Sequence, residues 1–105
     1  MTDNEKTLGE LMNTEVIPEF VDEVCDIYFR SFVLKTKGAS TGQHAHDHNH
    51  ATYIGNGSVR ATQDGELLGE FQAGQAIPIL AGKEHNFEAL EDNTRLTCVH
   101  WVGHL

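Results

Sequence analysis

From Ile27 onward the chain is cut into short stretches, each apolar or alternating, with glycines between them. "DIYFRSFVLKT" is crowded with β-branched and aromatic residues, the composition of a strand. "SVRATQ" alternates, Asp64-Gly65 is a strong two-residue hairpin signal, and "ELLGEF" resumes an extended pattern. "QAIPIL", "HNFEAL" and "RLTCVHWV" continue the series, with glycines at 38, 42, 55, 57, 65, 69, 74 and 82 dividing the segments. Short strands at such regular spacing predict an all-β, antiparallel sandwich or barrel rather than a βαβ fold. Pro78 falls inside an apparent strand. Lacking an N–H, it is expected at an edge or a bend.

Residues 1–26 read as an N-terminal extension preceding a barrel domain of residues 27–105. Thr7 followed by Glu10 is a capping-box pattern for one short helix, which Gly9 and Pro18 limit in length, and the extension has room for a strand as well.

Composition narrows the function classes. A chain of 105 residues supports one domain with a single core. Seven Lys plus Arg against 16 Asp plus Glu give a net charge of −9, which argues against nucleic acid and anionic membrane surfaces, since both require a basic footprint. No apolar run approaches the roughly 20 residues of a membrane span. The start, "MTDNEKTLGELM", lacks the layout of a signal peptide, so a cytoplasmic protein is the expectation. Cys25 and Cys98 form no Cys-x-x-Cys pair and read as reduced, buried thiols packing as small hydrophobes.

The chemistry is concentrated in "GASTGQHAHDHNHATYIGNG", where His44, His46, His48 and His50 fall at every second position. On an unbroken strand all four would point the same way and form a row. A metal needs ligands that converge, so the run must turn and recruit a distant partner. Asp47 and Asn49 supply turn-forming residues, and His85 in "AGKEHNF" is the expected partner.

These spacings resemble the two motifs of the cupin family, small β-barrels of jelly-roll type. The family's first motif runs Gly, His-x-His, Glu, Gly; here Gly38, His44-Ala-His46, His50 and Gly57 hold every spacing, with His50 in place of the glutamate. In the second, Gly74, Gly82 and His85 match, while Leu80 and Ala89 depart from the family's proline and asparagine. Sixteen residues, Ser58 to Ala73, separate the motifs. The resemblance implies a jelly-roll barrel, a homodimer, and His44, His46, His50 and His85 as metal ligands. The segment around Ile27–Val33 and Trp101 is the expected dimer contact. A register through His46 and His48 would put Thr52 at the carboxylate position and lose Gly38 and Gly57.

That ligand set leaves the other candidates in supporting roles. His48 sits in the turn near the barrel mouth, either solvated or touching substrate. His100 shares parity with Leu96 and Cys98, and lines the cavity as a general base or supporting group if that face points inward. Tyr53 and Tyr28 are candidates to donate hydrogen bonds to a ligand. Four neutral imidazoles leave a divalent ion its full +2 charge, which favours an anionic small-molecule ligand such as an enolate or carboxylate. Iron, nickel, zinc and copper suit such a donor set, and the resemblance adds manganese to the expected metals. Two functions follow: a metal-dependent enzyme with dioxygenase-like chemistry on a small anionic or enolisable molecule, with isomerase or lyase chemistry also open, or a binding module in which the metal organises a pocket.

Overall fold

The computed structural model describes residues 16–102, and within them every regular element is a strand. The strands are β1 (Val16–Val24), β2 (Ile27–Leu34), β3 (His50–Asn56), β4 (Ser58–Gln63), β5 (Glu66–Gln72), β6 (Ala76–Ile79), β7 (His85–Ala89) and β8 (Thr94–Trp101). They form a five-stranded sheet in the order β1-β2-β8-β3-β6 and a three-stranded sheet in the order β5-β4-β7, with all strand pairs antiparallel. This is the all-β antiparallel architecture that the alternating segments predict. Among the described residues no helix is long and apolar enough to cross a membrane.

The turns show why the chain reverses where it does. Asp64 and Gly65 join β4 to β5 with φ of 51° and 81°, the paired positive angles of the two-residue hairpin expected there. Cys25 and Asp26 do the same between β1 and β2, with φ of 52° and 64°, so Cys25 stands exposed at this turn rather than buried as expected. Pro78 lies on β6, an edge strand, opposite Ala51. An edge is where a residue without an N–H costs the ladder least. Gly57, between β3 and β4, has φ +80°, and a Cβ there would come within 2.9 Å of the Thr94 backbone.

β1 belongs to the extension, yet it pairs with β2 along its length, from Val16–Leu34 to Val24–Ile27. The strand that residues 1–26 have room for is therefore part of the large sheet. The helix expected from Thr7 and Glu10, and His104, lie outside the described residues.

Alternation gives the large sheet two unlike faces. On its inner face Phe32, Leu96 and Ile54 sit side by side across three strands, and all are buried. The next rung is Arg30, Cys98, Thr52 and Ile77, and the one beyond begins with Tyr28 and His100. One end of this face is thus hydrocarbon and the other is polar. Val59, Ala61, Phe87 and Ala89 of the smaller sheet complete the core.

The chain between β2 and β3 extends the smaller sheet along β7. Gly38 N–H donates to Ala89 O (2.8 Å), Thr41 N–H to Phe87 O (3.0 Å) and His44 N–H to His85 O (3.0 Å). The two glycine-framed motifs are therefore spatial neighbours.

Candidate functional site

The histidine run does not continue as a strand: His44 forms an isolated bridge, the chain bends at Asp47 and His48, and β3 begins at His50. The bend is anchored to the second motif, because Gly82 N–H donates to His46 O (2.8 Å) and Ala81 N–H to the Asn49 side-chain oxygen (2.8 Å). Asn49 is thus a structural tie between the two loops. His44 and His85 exchange both backbone hydrogen bonds, at 3.0 and 2.7 Å, which makes them a directly opposed pair.

The imidazoles gather around a cavity of about 370 Å³. Ring centroids are 5.0 Å apart for His44 and His46, 4.8 Å for His46 and His50, and 6.5 Å for His44 and His85. His48 turns inward as well, stacking 4.0 Å from His100, which also lies 4.7 Å from Tyr28 and 6.5 Å from His50. His44, His46, His48, His50 and His100 line the cavity, while His85 lies behind His44, only 1% exposed. The cavity thus brings together three of the four expected ligands and the His48–His100 pair, and His85 meets the group through His44.

Tyr53 is not part of it. His50, Thr52 and Ile54 take the inner face of β3, so alternation sends Tyr53 outward, where it is 46% exposed. Tyr28, on the same rung as His100, occupies the cavity instead. Arg30 also lines the cavity and was not singled out by sequence pattern. Both faces of β2 carry large apolar residues, so composition does not reveal which way Arg30 points.

The hydrogen bonds determine which nitrogens are available. His44 Nδ1 lies 3.0 Å from Gly42 O, an acceptor only, so Nδ1 carries the proton and Nε2 keeps its lone pair. His85 Nε2–H donates to the Gln63 side-chain oxygen (3.1 Å), leaving Nδ1 buried without a partner. His50 Nδ1 is likewise buried and unpartnered. Each such atom costs about 1–3 kcal/mol unless something satisfies it. Burial, followed by repulsion from neighbouring imidazoles, lowers the pKa values of His46 and His50 to about 4, and those of His85 and His100 shift the same way. These rings are uncharged at neutral pH and available as donors. Burial pushes the Cys98 thiol up, which makes it a poor thiolate ligand.

Imidazoles sharing one metal, with metal–nitrogen bonds of about 2.0–2.1 Å, hold their ring centroids roughly 4.5–6.5 Å apart. The His44–His46 and His46–His50 spacings fall in that range, as do those of His48 with His46 (5.4 Å) and His50 (5.7 Å), while His44–His85 lies at its upper limit. Among the described residues, however, no group of three or more His, Cys, Asp or Glu side chains converges into a formed metal site. The donor chemistry fits a metal, and the described side chains as they stand do not complete a coordination shell.

No protein-family model and no curated protein matches the sequence. Solved structures do match. KdgF from Halomonas sp. is similar at 18% identity and TM-score 0.74, over 89% of this chain and 85% of that one. A cupin-2 domain protein from Shewanella frigidimarina is 20% identical with TM-score 0.67, over 96% and 93%. An uncharacterised protein with a double-stranded β-helix domain from Klebsiella pneumoniae is 21% identical with TM-score 0.70, over 88% and 81%. Together with the two packed antiparallel sheets, these likenesses identify the architecture: this chain has the cupin fold.

Proposed function

We propose that this chain is a metal-dependent small cupin. In this reading His44, His46, His50 and His85 hold one divalent transition metal, and the cavity takes a small anionic or enolisable molecule for oxygenase-like chemistry. The observation that carries it is the opposed His44–His85 pair beside His46 and His50, with buried, unpartnered nitrogens on His50 and His85. A bound metal there supplies Lewis acidity and a +2 charge undiminished by any carboxylate ligand.

The chain's own residues do the remaining work. Gly42 and Gln63 fix the protons on His44 and His85, and with them the nitrogens that would be left to hold a metal. His100, uncharged at neutral pH and positioned between Tyr28 and His48, accepts a proton from the ligand. Tyr28 donates a hydrogen bond to the bound molecule. Val16, Phe32 and Phe87 give the cavity an apolar wall that excludes water.

The test is elemental analysis of untagged protein, followed by oxygen uptake of the iron-loaded form with candidate diketones and thiols. Near-stoichiometric metal with turnover is expected. Stoichiometric metal without turnover of any candidate would favour the non-catalytic binding module. Protein that takes up no metal would overturn the reading.

A further inference from the structure

His48 stands outside the proposed ligand set, yet it is spaced like a member of it. Its ring centroid lies 5.4 Å from that of His46 and 5.7 Å from that of His50, and those two are 4.8 Å apart. The three rings form a closed triangle whose sides all fall in the range of imidazoles sharing one metal. His100 does not join it, because at 4.0 Å from His48 it is stacked too closely to be a co-ligand. The triangle lies on one bend, which the Gly82 N–H and Ala81 N–H hold in place through His46 O and the Asn49 side chain. The spacing is therefore set by the fold, although the described rings as they stand close no coordination shell. His48 Nδ1 lies 3.0 Å from Asp47 Oδ1, a carboxylate acceptor, so Nδ1 carries the proton and Nε2 keeps its lone pair.

We propose that His46, His48 and His50 form a second, outer metal position, at which the cavity captures a divalent ion before passing it to the set completed by His44 and His85. Exposure gives the direction. The His48 side chain is 38% exposed and its Asp47 partner fully so, whereas His85 is buried behind His44. An ion from solvent therefore meets His48 first and His85 last. Charge favours its arrival, since the chain carries −9 and the Asp47 carboxylate stands beside the His48 ring. The inner set is the more stable of the two, because it satisfies the buried, unpartnered Nδ1 of His85. His46 and His50 belong to both positions, so the ion moves inward by exchanging His48 for His44 and His85 without leaving the protein. A neutral imidazole has one lone pair for a metal, so the shared rings serve one ion at a time and the cavity still holds a single metal.

The outer position rests on the proposed function for the inner one, and its test separates the two. Cobalt(II), whose ligand-field absorption reports its ligands, is mixed with EDTA-treated, dialysed protein in a stopped-flow spectrometer, and the end point is checked by elemental analysis. The wild type should show a fast phase that scales with cobalt concentration, which is outer capture, and a slower phase that does not, which is transfer inward. His48→Ala should lose the fast phase and load about tenfold or more slowly, since losing a ligand costs at least what losing its supporting partner does. It should still reach the wild-type stoichiometry and final spectrum. His85→Ala should keep the fast phase and lose the slow one, and Asp47→Asn should slow capture alone. Loading of His48→Ala at the wild-type rate, single-phase loading of the wild type, or a slow phase surviving in His85→Ala would each overturn the outer position while leaving metal binding intact. Loss of cobalt from His48→Ala at equilibrium would make His48 a ligand of the resting site and overturn it as well. A wild type that takes up no cobalt would remove both positions. If His85→Ala does not fold, the wild-type and His48→Ala traces decide.

Discussion

His44 and His85 come from different motifs and exchange both backbone hydrogen bonds, so the fold itself sets one proposed ligand opposite another. A ligand placed by the sheet needs no loop to order around it, and each loss should therefore be felt directly. Alanine at His44, His46, His50 or His85 should weaken metal uptake and remove the thermal stabilisation that added metal provides. That stabilisation is about 2.7 kcal/mol at one hundred times Kd. His48→Ala should retain both effects even though its ring stacks on His100. His50→Glu should still bind metal, with one unit less positive charge at the site. Dialysis and elemental analysis of each variant settle the ligand set: metal lost from His48→Ala and kept by His50→Ala would point to the other register.

The pH dependence of the metal-free protein has a definite sign. His46 and His50 titrate at about 4 in the folded chain, against an ordinary value near 6.5. Below 6.5 the unfolded chain takes up protons that the folded chain refuses, so stability rises with pH across this window. Their contribution is full above about 6.5, falls progressively as the pH drops and levels off below about 4. Urea melts of EDTA-treated protein at several pH values between 7 and 4 should show it. The double variant His46→Ala/His50→Ala should lose most of the slope, and an unchanged slope would contradict the assigned shifts.

The motif glycines are not equivalent. Gly57 combines φ +80° with an approach to Thr94 that leaves no room for a Cβ, whereas Gly74 has φ +95° and open space around it. Gly74→Ala should cost only the conformational penalty of about 1–2 kcal/mol. Gly57→Ala adds a collision of the β3–β4 turn with the backbone of β8 and should cost roughly 2–4 kcal/mol. Denaturant midpoints of the two variants test the ranking, and equal losses would refute it.

Which features were legible in the sequence depends on how local their causes are. The Asp64-Gly65 hairpin and the edge position of Pro78 follow from backbone chemistry within one or two residues, and both are present. The β1–β2 hairpin is built on Cys25 and Asp26, both at positive φ with no glycine to announce them, so β1 read as an extension. Tyr53 and Arg30 fail for another reason. A strand's period of two says which residues share a face but not which face is inside. On β2, Phe32 and Leu34 face the core while Ile27, Phe29 and Val33 alternate with them, so only the pairing with β8 decides where Arg30 points. The stacking of His48 on His100 is tertiary and leaves no local trace.

Assembly is the remaining proposal, and the sheet constrains how it occurs. The segment around Ile27–Val33, expected at the dimer contact, is β2, and its backbone is already paired on both sides by β1 and β8. It can contribute only side chains. Its outer face does so: Val24, Ile27 and Trp101 lie in one row across three strands, and Trp101 is 53% exposed. Phe20, 54% exposed, is also on that sheet, at its edge strand. A second copy packing on this face would remove the row from water, the standard route to a homodimer. Sedimentation equilibrium should find a dimer, and dilution should shift the emission of the chain's one tryptophan to longer wavelength. Trp101→Glu should yield monomers, whereas Leu67→Glu, on the other sheet, should not. A wild type that stays monomeric at high concentration, or a dimer indifferent to Trp101→Glu, would exclude this face as the interface.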